Sequence, residues 1–97
     1  MIRSFADRGT LDVFDGANTR AARRSCPRGI WRVARRKLDQ LNQAAALVDV
    51  SVPPANSLEK LRGARRDQHS IRINDQYRIC FRWTERGPED VEIVDYH

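Results

Sequence analysis

Hydrophobic and polar side chains alternate with a period of two between residues 68 and 83. The apolar members of this series are Ile71, Ile73, Tyr77, Ile79, Phe81 and Trp83. A period of two indicates strands with one buried face. Asn74 and Asp75 interrupt the series, and they indicate a turn because both residue types tolerate left-handed backbone conformations. The pattern therefore predicts a β-hairpin.

The polar face of this hairpin carries three arginines. Arg72, Arg78 and Arg82 fall opposite the apolar residues if the two strands pair in register. A guanidinium group can bind two phosphate oxygens at once, so these residues indicate a phosphate-binding surface. A solvated strand face, whose charges discourage edge-to-edge pairing, explains them equally well. The alternation alone leaves both interpretations open.

A helical period replaces the period of two between residues 30 and 48. The apolar stripe consists of Trp31, Ala34, Leu38, Leu41, Ala45 and Val48. Residues spaced by three, four and seven positions share one face of a helix. This segment therefore predicts the longest helix of the fold, with its stripe in the core.

Shorter elements precede this helix. Residues 2–5 predict a first strand, and residues 10–15 and 20–25 predict two short helices. Helix starts favour Ser, Thr, Asp or Asn, whereas glycine and proline favour helix ends. The candidate caps and stops are Thr10, Gly16, Thr19, Pro27 and Gly29.

Strands dominate the remainder of the chain. The prolines of residues 51–56 predict a stiff loop, because proline fixes φ and cannot donate to a sheet ladder. Residues 57–62 predict a short strand, residues 85–90 a turn, and residues 91–97 a last strand. The order of elements predicts an α+β fold in which an N-terminal strand and helices pack on a mostly antiparallel sheet.

Length and composition limit the functional classes. The 97 residues fit one domain spanning residues 1–97, and 40% hydrophobic with 32% charged residues is typical of a soluble globular protein. The net charge of +5 favours nucleic acid, an acidic protein or an anionic membrane surface as partner. No apolar run approaches the roughly 20 residues of a membrane span. Cys26 and Cys80 lack metal-ligand spacing, which predicts reduced thiols and a cytoplasmic protein.

Positive charge concentrates between residues 17 and 38, a stretch without Asp or Glu. Its basic residues are Arg20, Arg23, Arg24, Arg28, Arg32, Arg35, Arg36 and Lys37. A solvated helix face normally mixes both signs of charge, and this one does not. The block therefore favours a contact surface for nucleic acid or an acidic partner.

Three proton-transferring side chains end the chain at Asp95, Tyr96 and His97. In a strand Asp95 and His97 share one face and Tyr96 takes the other. Histidine titrates nearest neutrality, so the triplet is a candidate for acid–base chemistry. On chemistry alone a polar terminus without a catalytic role is the stronger interpretation.

Three segments form a specific combination of motifs. They are Leu-Glu-Lys-Leu-Arg-Gly at residues 58–63, His-Ser-Ile-Arg-Ile-Asn-Asp-Gln-Tyr-Arg-Ile-Cys-Phe at 69–81, and Val-Glu-Ile-Val-Asp-Tyr-His at 91–97. Together they closely resemble the HigB-type toxins of the RelE/ParE toxin–antitoxin superfamily. The start of the chain and residues 34–38 are also similar. The resemblance implies helices against an antiparallel sheet, ribosome-dependent cleavage of mRNA without metal or cofactor, and neutralisation by a HigA-like helix-turn-helix antitoxin.

The resemblance also implies roles for individual residues. Arg78 and Arg72 would stabilise the phosphate, with Lys60, Arg62 and Arg82 as further RNA contacts. Asp95 would be the acid–base or orienting group, His97 a second proton carrier, and Tyr96 a base-stacking residue. Some relatives have a catalytic histidine just before the turn that corresponds to residues 61–63. Here Glu59 and Lys60 precede it, so either Glu59 takes the catalytic role or the proton chemistry differs. The basic helix segment would face ribosomal RNA, the antitoxin or each in turn, and its RNA-binding residues would be Arg20, Arg23, Arg24, Arg32, Arg35 and Arg36.

Two further hypotheses do not require catalysis. One is an inhibitor of the same fold that binds the ribosome or its rRNA, or that binds DNA gyrase as ParE-type members do. The other is a small basic nucleic-acid-binding protein without toxicity. Both rest on the arginines of residues 20–36, which binding explains as well as cleavage does.

Overall fold

The computed structural model describes residues 1–96. Its helices are α1 (Arg8–Asp15), α2 (Arg20–Ser25) and α3 (Trp31–Gln43). Its strands are β1 (Glu59–Lys60), β2 (His69–Arg72), β3 (Tyr77–Thr84) and β4 (Gly87–Asp95). Single 3₁₀ turns occupy Arg28–Ile30, Leu47–Ser51, Pro54–Asn56 and Gly63–Arg65. Helices followed by strands confirm the predicted α+β class.

The four strands form one antiparallel sheet in the order β1-β2-β3-β4. Strands β2 and β3 are the predicted hairpin, with Ile71 opposite Ile79 and Arg72 opposite Arg78. The Asn74 side-chain oxygen accepts hydrogen bonds from the N–H groups of Gln76 and Tyr77. An asparagine bonded to the backbone two residues further on stabilises a tight turn, which confirms the predicted turn position.

The helices cover one face of the sheet, and the core lies between these two layers. Its members include Val13, Ala22, Ala34, Leu38, Leu41, Val50, Ile71, Ile79, Phe81, Val91 and Ile93. Removal of this apolar surface from water is the main stabilising contribution to the fold. The predicted apolar face of the hairpin is therefore the face against the helices.

The first two helices differ in how well their starts were predicted. Helix α1 begins earlier than expected, because Asp7 rather than Thr10 is its N-cap and accepts a hydrogen bond from the Thr10 N–H. Gly16 ends it in the left-handed conformation, as predicted. Helix α2 has the predicted bounds, and Thr19 caps it by accepting from the Ala22 N–H.

The predicted end of the long helix is wrong. Helix α3 stops at Gln43, and the chain turns because the Asp49 carboxylate accepts hydrogen bonds from the N–H groups of Ala45 and Ala46. Those two N–H groups are then unavailable to a helix ladder. Ala45 and Val48 are consequently exposed, and Val50 enters the core in their place.

Residues 2–5 are extended but do not form a strand. Only Phe5 makes a bridge, parallel to Val91, and the Arg3 N–H donates to the Pro88 carbonyl. A β-bulge places both Asp90 and Val91 opposite Phe81, and it bends β4 at this point. Continuous pairing of residues 2–5 with β4 is therefore interrupted.

The remaining boundaries shift modestly. Strand β4 begins at Gly87, so the predicted turn over residues 85–90 shrinks to its first part. Strand β1 contains two residues rather than the six predicted for 57–62, because Ser57 has a left-handed backbone (φ 46°) that ends the extended run. No helix within residues 1–96 is long and apolar enough to cross a bilayer.

Candidate active site

Two rows of side chains lie on the sheet face away from the helices. One row is Glu59, Ser70, Cys80 and Glu92, and the next is Arg72, Arg78 and Val94. The row between them, Ile71, Ile79 and Ile93, points into the helix-side core. Because side chains alternate between the faces of a sheet, the two polar rows share the opposite face. The alternation thus brings the arginines of the hairpin beside Glu59 of β1.

Arg78 is the buried charge of this face. Its side chain is 10% exposed, and its Nε donates a hydrogen bond of 2.7 Å to the Ser70 hydroxyl. Its Nη2 donates to the carbonyl oxygens of Ser57 and Ser70, and lies 3.8 Å from the Glu59 carboxylate. A buried guanidinium is costly unless its donors are paired, so these contacts determine its orientation.

Tyr96 lies over Arg78, with the guanidinium carbon 5.9 Å from the centre of the phenol ring. This geometry is that of a cation–π contact. Beside the pair is an open cleft of about 480 Å³, here called the Tyr96 cleft. Its lining residues are Glu59, Lys60, Leu61, Arg62 and Tyr96. Five of the predicted site residues, Arg78, Tyr96, Glu59, Lys60 and Arg62, therefore meet in one place.

Asp95 lies on the other face of the sheet. It pairs with Tyr77, a residue that packs on the helix-side core and whose pKa is raised by burial and by the Asp95 charge. Asp95 lines a groove of about 500 Å³ together with Arg24 of α2 and the start of α1. The structure does not place Asp95 in the Tyr96 cleft, and His97 lies outside the described residues.

Gln76 connects the two faces at the end of β4. Its side-chain nitrogen donates to the Asp95 carboxylate at 3.1 Å, and its carbonyl accepts a 2.6 Å hydrogen bond from the Tyr96 N–H. Asp95 therefore helps to hold the backbone that carries Tyr96.

The other two hairpin arginines have different surroundings from Arg78. Arg72 pairs with Asp75 in the hairpin turn and is partly exposed. Arg82 pairs with Glu89 at 2.7 Å and Asp90 at 3.4 Å. Arg82 lies four positions along β3 from Arg78, which corresponds to about 13 Å. The three arginines share a face, as the alternation predicts. Among the contacts of residues 1–96, only Arg78 of the three touches residues that line the Tyr96 cleft, namely Tyr96 and Glu59.

The predicted basic helix residues form a second surface, here called the helix-side arginines. They are Arg20, Arg23, Arg24, Arg32, Arg35 and Arg36, all exposed. They lie on helices that cover the sheet face opposite the Tyr96 cleft. Lys37 does not belong to this surface, because its side chain is buried against Asn56 and burial lowers its pKa.

Sequence reasoning missed the residues that hold Arg78 and Tyr96. Ser70 could have been found from the hairpin register, which places it diagonally next to Arg78 on the same face. Ser57 contributes only a backbone carbonyl, and Gln76 acts across a turn. Contacts of this kind leave no pattern in the sequence.

The remaining candidate groups are packing residues. The His69 ring stacks on Phe81 with centroids 6.3 Å apart, and burial, followed by the Lys60 charge, lowers its pKa. Burial raises the pKa of Cys26 to about 11 and raises that of Cys80, so both thiols stay protonated at neutral pH. Across residues 1–96, no three His, Cys, Asp or Glu side chains are grouped as metal ligands.

Comparison with known proteins identifies the family. Residues 3–97 match the family described as the RelE-like toxin of type II toxin–antitoxin system HigB. Toxin HigB-1 of Vibrio cholerae serotype O1 is 40% identical over 62 residues, which are 64% of this chain and 65% of that protein. An uncharacterized protein of Haemophilus influenzae is 37% identical over 57 residues, 59% of this chain and 56% of its own. Less than two thirds of either relative is aligned. The family match spans nearly the whole chain, and the chain therefore belongs to the RelE-like toxins of the HigB type.

Proposed function

We propose that this protein is a ribosome-dependent endoribonuclease that cuts mRNA during translation and so inhibits growth. The observation that carries the proposal is Arg78, a buried guanidinium held by three oxygen acceptors beside an exposed tyrosine and an open cleft. A charge already oriented where a phosphate can lie needs little reorganisation in the transition state. Membership of the toxin family supports the same conclusion.

The proposed reaction is an internal transesterification of RNA. The 2′-hydroxyl oxygen of one nucleotide attacks the adjacent phosphorus, the bond to the 5′-oxygen breaks, and a 2′,3′-cyclic phosphate forms. One proton leaves the 2′-hydroxyl group and one is given to the departing 5′-oxygen, so the reaction requires no metal ion and no redox partner. Glu59, half-exposed and 3.8 Å from Arg78, is the proposed base. Arg78 would stabilise the extra charge on the phosphate.

The other cleft residues would bind the substrate. Tyr96 offers an exposed ring face for stacking on a base, and Lys60 and Arg62 offer charges for neighbouring phosphates. Asp95 would act by positioning Tyr96 through Gln76. His97, next in the chain, remains the proposed donor of the proton to the departing oxygen.

Mapping of new RNA 5′ ends after brief expression tests the proposal. Tyr96→Ala is the informative variant, because the side chain is exposed and its loss leaves the core intact. We expect cuts at fixed codon positions with the parent protein, and at least tenfold fewer with Tyr96→Ala. Arg86→Ala is the matched control, since Arg86 is an exposed turn residue at the opposite end of the sheet. Growth arrest without any cuts by the parent would refute the proposed reaction.

The proposal includes two macromolecular partners. One is the translating ribosome, which would place the protein in the cytoplasm, and the other is a cognate antitoxin of the HigA type. The helix-side arginines supply an exposed cationic surface for rRNA, because phosphate contacts provide most of sequence-independent affinity. Binding of the ribosome through this surface would leave the Tyr96 cleft free for mRNA.

The separate location of the helix-side arginines favours a second candidate function. A protein that inhibits by occupying the ribosome or another nucleic-acid machine would need only this surface. In that case substitution of the helix-side arginines would abolish growth inhibition, and Tyr96→Ala would leave it unchanged. The same expression experiment therefore separates the two candidates.

A further inference from the structure

A buried polar cluster lies behind the Tyr96 cleft, and the proposed reaction does not use it directly. Its centre is Asn56, which has no exposed surface. The Asn56 side-chain oxygen accepts a hydrogen bond from the Lys37 ammonium. Its side-chain nitrogen donates to the Gln40 side chain and to the Val50 carbonyl, each at 3.1 Å. Asn56 thus joins α3 to the loop that leads into β1.

Lys37 is an unusual residue to find in this position. It lies beside the buried stripe of α3, next to Ala34 and Leu41, and only 6% of the residue is exposed. A buried ammonium loses hydration, and this loss lowers its pKa unless a partner compensates. A long, charged side chain kept in the interior indicates a requirement that an apolar residue would not meet.

The chain connects Asn56 directly to Arg78. The next residue, Ser57, has a left-handed backbone, and its carbonyl accepts a hydrogen bond from Arg78 Nη2. Two residues further along, Glu59 begins β1 and contacts the same nitrogen. Any displacement of Asn56 therefore moves two of the groups that determine where the Arg78 guanidinium points.

We infer that Lys37 and Asn56 are positioning residues for the cleavage reaction. They hold the Ser57 carbonyl and the start of β1 at the distance that orients Arg78 toward the Tyr96 cleft. The inference rests on the proposed function for its effect on rate. Its geometric part, the control of the guanidinium by Asn56, stands independently.

Asn56→Ala and Lys37→Met test the inference in a ribosome-dependent cleavage assay. Misorientation of a stabilising charge lowers the rate of the chemical step more than it lowers binding. We expect the maximal rate to fall about tenfold to a hundredfold. The ribosome concentration at half-maximal rate should change less than about twofold. Gln40→Ala, which removes only one partner of Asn56, should have the smallest effect.

Val13→Ala is the matched control for loss of stability. It truncates a buried helix residue remote from the cleft and destabilises the fold by a cavity of its own. Urea denaturation would identify pairs of variants with equal stability. If Asn56→Ala and Val13→Ala are equally destabilised and equally active when folded, the positioning role is refuted.

NMR of the arginine side chains supplies a readout that does not depend on activity. In the parent protein, the hydrogen bonds of Arg78 should restrict rotation of its guanidinium and separate its Nη signals from those of exposed arginines. In Asn56→Ala the Arg78 signals should shift toward those of the exposed arginines, because the Ser57 acceptor is displaced whereas the two Ser70 acceptors remain. Unchanged Arg78 signals would overturn the inference even if cleavage slowed. Absence of cleavage by the parent protein would refute the proposed function alone. The NMR result would then decide whether Asn56 controls the orientation of the Arg78 guanidinium.

Discussion

The two cationic regions of this protein differ in burial and in hydrogen bonding, although both carry positive charge. Beside the Tyr96 cleft, Arg78 is buried and held by three oxygen acceptors, whereas the helix-side arginines are exposed and spread over α2 and α3. A held guanidinium can stabilise charge at one point in space. An exposed set creates a broad positive potential, which attracts polyanions and is screened by salt. Under the proposed function, the first region would carry the chemistry and the second would attach the protein to the ribosome.

Arg78→Lys should produce the largest effect. Lysine keeps the charge but lacks the planar fork that bonds Ser70 and Ser57 at the same time. We expect cleavage to fall about a hundredfold to a thousandfold, the range found when one preorganised donor is removed. Single-turnover cleavage on programmed ribosomes measures this loss, and circular dichroism checks the fold. Full activity of a folded Arg78→Lys protein would contradict the role of the buried guanidinium.

A smaller and different effect is expected for the helix-side arginines. The double substitution Arg32→Gln and Arg36→Gln should weaken ribosome association, leave the maximal cleavage rate unchanged, and reduce the dependence of binding on salt. The slope of log affinity against log salt should fall by about 0.7 to 0.9 for each phosphate that the variant no longer neutralises. Titration of ribosomes at several salt concentrations provides the measurement. A fall in maximal rate with unchanged affinity would reverse the assignment of the two regions.

The smallest effect concerns the helix layer itself. Asp12 accepts a 2.6 Å hydrogen bond from the Thr19 hydroxyl and pairs with Arg8, and these interactions lower its pKa. A carboxylate whose pKa is lower in the folded protein stabilises it above the unfolded value of about 4, and this contribution is lost as pH falls through the folded pKa. Asp12→Asn should therefore lower the unfolding midpoint at pH 7 by a few degrees and have progressively less effect as pH falls below about 4.

Thermal unfolding of the parent and Asp12→Asn proteins between pH 2.5 and pH 7 measures this difference. Cleavage by the folded variant should remain at the parent level, because Asp12 lies on the helix side of the sheet. A constant difference in midpoint across the whole pH range would show that the carboxylate charge does not contribute.

Several features of the fold could be predicted because they depend on local pattern. The hairpin and its turn follow from alternation around Asn74, and α2 follows from a threonine cap. The end of α3 could not be predicted in this way. The Asp49 carboxylate accepts hydrogen bonds from the N–H groups of Ala45 and Ala46, which would otherwise have continued the helix. Helical periodicity indicates which face of a segment could be buried. It contains no information about a side chain that competes for the backbone hydrogen bonds of the helix.

The candidate site shows the same division. Resemblance named Tyr96, Glu59, Lys60 and Arg62, which line one cleft, and Arg78, which contacts Tyr96 and Glu59 beside it. It also named Asp95 and Tyr96, which are neighbours in the chain. Asp95 is the last residue of β4 and pairs with Tyr77, whereas Tyr96 follows the strand and contacts Arg78 on the other face of the sheet. Adjacency in the chain is therefore a poor guide to adjacency in a site at the end of a strand.

The sequence by itself determined the class of the fold, the buried face of the hairpin, the family and the presence of two cationic regions. These properties arise from periodicity, composition and local motifs, which operate over a few residues at a time. Only the tertiary structure decided that Arg78 is buried whereas Arg82 is neutralised by Glu89 and Asp90, and that Lys37 lies inside. The same residue type has a different role in each place because burial and hydrogen-bond partners, rather than charge alone, determine what a side chain can do.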